Sequence, residues 1–99
     1  MAYQIIIADE VFTALNSIIF YLENKFSKKV AAHFLLIFYK KTESLSDNPN
    51  LGRKISEHAT IRRILITKHN LLYYEVVGNQ IHLLSIFFTV QNPKKNKFE

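Results

Sequence analysis

Apolar residues in the first half of the chain recur every three or four positions, and in the second half about every two. "YQIII", residues 3–7, is β-branched and too brief for a helix, so it reads as a strand. Val11, Leu15, Ile18, Leu22 and Phe26 follow at spacings of four, three, four and four. That is one stripe of a helix over about residues 10–26, widened by Phe12 and Ile19. Asp9 stands where an N-cap is expected, and Glu10 suits the positive end of the helix dipole. Ser27 reads as the cap of a second helix, whose stripe runs through Val30, Phe34, Phe38 and Leu45 with Ala31 and Leu35 beside it. Lys28 and Lys29 in its first turn oppose the dipole. Leu36, Ile37 and Tyr39 fall partly outside the stripe, so this helix is apolar on nearly every side. A chain of 99 residues cannot enclose such a helix by itself, and a protein partner is expected to cover the remainder.

"SDNPNLGRK", residues 46–54, is a dense turn cluster that ends the second helix. Three β-rich runs follow at about 60–67, 70–77 and 80–89. Gly78-Asn79 is a hairpin signal between the last two, and Lys68-His69-Asn70 can turn the first pair. Alternation puts Ile61, Arg63 and Leu65 on one face of the first run and Arg62, Ile64 and Ile66 on the other. The expected core is Leu15, Ile18, Leu22, Phe34, Phe38, Tyr74, Leu84 and Ile86. Asn92-Pro93 ends the sheet, and residues 94–99, "KKNKFE", form a basic tail. The predicted fold is a single α+β domain over residues 1–93, in the order β-α-α-β-β-β. Its helical hairpin packs on a mainly antiparallel four-stranded sheet.

Composition narrows the function classes. Hydrophobic residues make up 48% of the chain, with two glycines and two prolines, so a packed core is expected. The absence of cysteine excludes a disulfide framework and any thiolate metal site. The N-terminus lacks a basic leader, and the most apolar stretch, residues 30–39, is too short to cross a bilayer. A soluble, cytoplasmic protein with no membrane partner is expected. The net charge of +5 favours an anionic partner, nucleic acid or an acidic protein.

The order of elements and several marks resemble the RelE/ParE superfamily of bacterial type II toxins. "IIIADE" leads into a helix with "SIIFYL". "FYKKTESLSDNPNLGRKI" matches a helix that ends in a leucine, a proline-containing turn and glycine. "IRRILITKHNLLYYEVVGNQIHLLSIFFTVQNP" matches an arginine-led strand, a tyrosine-containing strand, a glycine turn and a last strand running into Asn-Pro. The resemblance covers residues 3–93 and implies one of two activities. RelE-like members cut mRNA on the ribosome with a set of basic residues; ParE-like members lack that set and block DNA gyrase. In both, a cognate antitoxin wraps the toxin with a segment that is disordered until bound, and toxin homodimers or toxin–antitoxin hetero-oligomers are compatible with the resemblance.

Cleavage through a 2′-OH needs a base, a cation for the developing charge and an acid for the leaving oxygen. The nuclease members draw these from the first meander strand, the start of the second and the end of the last. Here Arg62, with Arg63 beside it, stands at the first place. Leu71 occupies the second, and Val90 and Gln91 the third, with no Tyr or His after them. Losing one such cation typically costs ~10²–10³ in rate. The reading therefore leans to a non-enzymatic, ParE-like growth inhibitor that acts by protein contact, plausibly on gyrase. The alternatives are an mRNA endonuclease with an atypical site of Arg62, Arg63, Lys54 and His82, a degenerate toxin that only binds antitoxin, and a plain RNA-binding domain. The last is disfavoured because the sheet lacks paired stacking aromatics. His82 reads first as a hydrogen-bonded strand residue, and His33, His58 and His69 show no metal-ligand spacing, so no metal or cofactor is expected. The expected antitoxin- or target-binding residues are Leu36, Ile37, Tyr39, Arg53, Lys54, Arg62 and Arg63. One of the adjacent arginines should reach around the helix layer while the other stands on the open face with Arg53 and Lys54.

Overall fold

A computed structural model of the chain describes residues 2–88. The first strand, β1 (Gln4–Ile7), leads through Ala8 into helix α1 (Asp9–Lys25) and helix α2 (Lys28–Asp47). A two-residue strand, β2 (Arg53–Lys54), precedes the meander of β3 (Ile61–Thr67), β4 (Asn70–Val77) and β5 (Gln80–Phe88). The expected four-stranded sheet is thus five-stranded, in the order β1-β5-β4-β3-β2. The extra strand lies inside the turn cluster, where two residues between Gly52 and Ile55 give no periodicity to read. It pairs antiparallel with β3, and the meander is antiparallel throughout. Among the described strands only β1 runs parallel to its neighbour, with Gln4 opposite Gln80 and Ile7 opposite Leu83.

That parallel pairing decides how α1 begins. The Ala8 N–H continues the ladder by donating to the Leu83 carbonyl at 3.1 Å. Ala8 is also the extended N-cap, and no side chain caps the helix. Asp9, expected as the cap, is instead the first helical residue, where its charge and that of Glu10 suit the dipole. Ser27 does cap α2: its Oγ accepts the Val30 N–H at 3.1 Å. That bond holds the helix start despite Lys28 and Lys29.

The two helices cover one face of the sheet. Val11, Leu15 and Ile18 of α1 and Phe34, Phe38 and Leu45 of α2 meet Ile66, Leu72, Tyr74, Ile81, Leu83 and Ile86. Leu22, expected in the core, is half-buried and packs against it. Leu84 is displaced by a bulge. Tyr73 pairs with Ser85 but Tyr74 pairs with Leu83, so Leu84 is an extra residue in β5. The side-chain alternation inverts there, and Leu83 is fully buried in its place. Val30 also leaves the predicted stripe and is exposed.

Candidate functional site

The register assigns each basic residue of the meander to a face. Arg62 stands opposite Tyr74, and Tyr74 opposite Leu83, both members of the core under the helices. Arg62 therefore lies on the helix-covered side, where its guanidinium donates to the Gly52 carbonyl at 2.7 Å. The Tyr74 hydroxyl accepts the Gly52 N–H at 2.8 Å and donates to the Pro49 carbonyl at 2.8 Å. Three hydrogen bonds thus pin the 49–52 loop across the edge of the core. A Cβ on Gly52 would sit 2.6 Å from the Tyr74 ring and 2.8 Å from the Arg63 carbonyl, so only glycine fits between them. Burial raises the Tyr74 phenol above its usual value, against the opposing pull of the Gly52 hydrogen bond and the Arg62 charge.

Arg63 takes the opposite face, on the row Arg53, Arg63, Tyr73 and Ser85. Tyr73 is fully buried there with Phe87 edge-on at 5.7 Å between ring centroids, and the Ser85 hydroxyl donates to Glu10 at the head of α1. Glu10 is thus held by a hydrogen bond across the β1–β5 edge, a role that its place in the first helical turn does not reveal. The next row outward is Leu65 opposite Leu71, and a shallow depression joins Arg53 and Arg63 to these leucines. Arg53 and Arg63 lie directly across from each other, and like charges so placed repel. An anion between them would relieve that repulsion and gain paired donors from two guanidinium groups.

The four residues of the atypical nuclease set do not converge. Arg62 faces the helices and Lys54 is its cross-strand partner. Arg63 and His82 lie on the open face, with β4 between their strands. The His82 Nε2 is 3.0 Å from the Gln80 Oε1, the hydrogen-bonded strand position that is its simpler reading. Arg53 and Lys54 were expected on one surface, but adjacent strand residues point apart, and only Arg53 joins Arg63. Val90, Gln91 and the Asn92-Pro93 ending lie outside the described residues. Among the described residues no group of three His, Cys, Asp or Glu side chains could hold a metal ion. Among them, too, no helix is long and apolar enough to cross a membrane.

The helical hairpin carries the second surface. Leu36 and Tyr39 are exposed, at 51% and 56%, while Ile37 is half-buried against the core. The exposed set extends further than the sequence stripe indicates. Phe20 is 69% exposed, and Phe12, assigned to the widened stripe of α1, is 50% exposed. Between the joined ends of the two helices and the β3–β4 turn lies a cleft of about 460 Å³, walled by Tyr21, Phe26, Val30, His33 and Phe34 with Asn70 among its lining residues. The Asn70 side-chain nitrogen is buried and makes no hydrogen bond. A donor left unmade in this way costs about 1–3 kcal/mol. Helical periodicity could not show this cleft, because its floor is a β-turn more than thirty residues away in sequence.

Comparison with known proteins follows the same outline. A family profile described as "ParE toxin of type II toxin-antitoxin system, parDE" matches residues 5–93. A solved structure titled "Chromosomal ParDE TA system from P. aeruginosa" is 17% identical, with a TM-score of 0.74 over 88% of this chain and 96% of that one. "The structure of YoeB dimer from Staphylococcus aureus" is 16% identical, with a TM-score of 0.57 over 86% and 94% of the two chains. At these identities the two structures show a shared fold. A search of curated proteins finds no match.

Proposed function

This chain belongs to the ParE toxin family of type II toxin–antitoxin systems, and on that premise we propose that it arrests growth by binding a protein target, DNA gyrase, until a cognate antitoxin silences it. One observation carries the choice of binding over RNA cleavage: the sheet divides the basic residues that a nuclease would need together. Arg62 is committed to the Gly52 carbonyl on the helix side, and Arg63 and His82 lie on the other. A phosphorane on either face meets only part of that set, and so lacks part of the electrostatic stabilisation on which such chemistry depends.

The antitoxin footprint follows from the two exposed surfaces. Leu36, Ile37 and Tyr39 offer apolar burial on α2, and Arg53 with Arg63 offers charge on the open sheet face. An acidic segment, disordered until bound, gains both. The complex titled as a ParDE system and the structure titled as a dimer support a hetero-oligomer with antitoxin and self-association of the toxin as its assembly states.

The test is induction of the chain in a host, scored for DNA-damage filamentation against translation arrest, with purified protein added to gyrase supercoiling and to programmed ribosomes. Filamentation, inhibited supercoiling and intact mRNA are expected. Clean mRNA cleavage at the ribosomal A site would replace this reading with the endonuclease. Antitoxin binding without any growth effect would leave a degenerate toxin.

A further inference from the structure

We infer that the cleft between the helix ends and the β3–β4 turn binds an uncharged, largely apolar small molecule carrying one carbonyl-type oxygen. Its volume of about 460 Å³ falls within the range of small-ligand sites, roughly 300–1,000 Å³. The walls supply aromatic and aliphatic surface from Tyr21, Phe26, Val30 and Phe34. The polar requirement comes from Asn70, which is 4% exposed.

The orientation of that amide is fixed by its neighbours. The Thr67 hydroxyl donates to the Asn70 Oδ1 at 2.7 Å and also accepts the His69 N–H at 3.2 Å. The amide oxygen is thereby turned to Thr67, and the nitrogen is left as a donor with no acceptor. A cleft with apolar walls and one unfulfilled donor selects for an apolar body with one acceptor oxygen. A carboxylate fits poorly at that depth, because one neutral donor does not compensate the loss of its hydration. His33 and His69 also line the cleft, but both side chains are exposed and belong to its mouth. Asn70 lines the cleft but its nitrogen is itself buried, so an incoming oxygen must displace part of the rim. At the rim Phe26 is 61% exposed and Val30 41%.

Three probes of nearly the same shape separate the chemistry: benzylacetone (a ketone), isopentylbenzene (its hydrocarbon counterpart) and hydrocinnamate (its carboxylate counterpart). Each is titrated into the full chain while backbone and side-chain amide NMR signals are followed. Benzylacetone is expected to bind about fivefold more tightly than isopentylbenzene, the gain of one neutral hydrogen bond. It should also shift the Asn70 side-chain signal and bind more tightly than hydrocinnamate. Asn70→Asp keeps the acceptor for Thr67 and removes the donor, so it should erase the advantage of the ketone over the hydrocarbon. Val30→Trp, at an exposed position, should fill the mouth and abolish binding of all three. Thermal melts verify that both variants fold; if Asn70→Asp does not, the wild-type probe comparison and Val30→Trp decide. Equal binding of ketone and hydrocarbon, tighter binding of hydrocinnamate, or no saturable shift around the cleft would each overturn the inference.

Discussion

Arg62 and Arg63 are neighbours in sequence, yet the sheet gives them opposite occupations. On the helix-covered face, Arg62 closes a small network with Tyr74, Gly52 and Pro49. On the open face, Arg63 stands across from a second arginine beside the exposed Leu65 and the half-buried Leu71. The first arrangement spends its charge inside the molecule, and the second concentrates like charge at the surface. Identical side chains one residue apart thus take opposite faces, one bonded to the 49–52 loop and the other set beside a second arginine.

The largest expected effect tests the covered face. Gly52→Ala forces a methyl into contact with Tyr74 and the Arg63 carbonyl and should cost about 3 kcal/mol in denaturant unfolding. A loss below about 0.5 kcal/mol would mean that the 49–52 loop is not pinned as described. Tyr74→Phe comes next. It leaves the Gly52 N–H and the Pro49 carbonyl without their partner and should cost about 2 kcal/mol.

Tyr74 also carries a pH signature. Its folded pKa is raised above 10.0, chiefly by burial, so the stabilising contribution is complete below pH 10.0 and is lost as pH rises through the folded value. Wild-type stability should therefore fall relative to Tyr74→Phe above pH 10.0. Parallel pH curves for the two proteins would show that the phenol is not desolvated.

The two arginines themselves give the next contrast. Arg62→Ala should destabilise by about 1.5 kcal/mol, because a charged donor to Gly52 is lost, with little change in antitoxin affinity. Arg63→Ala should weaken antitoxin binding about tenfold, roughly 1.4 kcal/mol, measured by calorimetry. Reversal of the two outcomes would break the division between faces. The smallest effect is Arg53→Ser, which relieves the repulsion across the β2–β3 pair and should alter stability by less than about 0.5 kcal/mol, towards stabilisation.

Much of the fold was legible because the periods are clean. The stripe through Leu15 and Ile18, the Ser27 cap and the Gly78 turn appear where the residue pattern puts them, with Gly78 at a φ of 61°. Leu84 could not be placed, because a bulge is set by how two strands fit together and one strand's alternation carries no trace of it. The same limit applies to β2: a two-residue strand has no period, and its existence depends on Arg62 and Arg63 across the ladder. At the candidate site, the alternation correctly parted the two arginines. It could not say which face the helices would cover, and so did not show that Lys54 would follow Arg62. The Asn70 donor was invisible for another reason, since an unmade hydrogen bond is a property of everything that surrounds it.

The parallel pairing of β1 with β5 has a consequence for timing. Gln4 meets Gln80 across the sheet, a separation of 76 residues, so the first strand made waits for almost the last. Until β5 is available, β1 has no neighbour, and the hydrogen bond by which Ala8 starts α1 against Leu83 cannot form. Such long-range closure is slow compared with helix formation. The hairpin of α1 and α2 is therefore synthesised well before the sheet that buries it, with its apolar stripe uncovered in the interval. A partner able to recognise that hairpin could engage the chain while it is still being made. A chain cut before Leu83 would lack the residue that faces Ile7 and the carbonyl that accepts the Ala8 N–H.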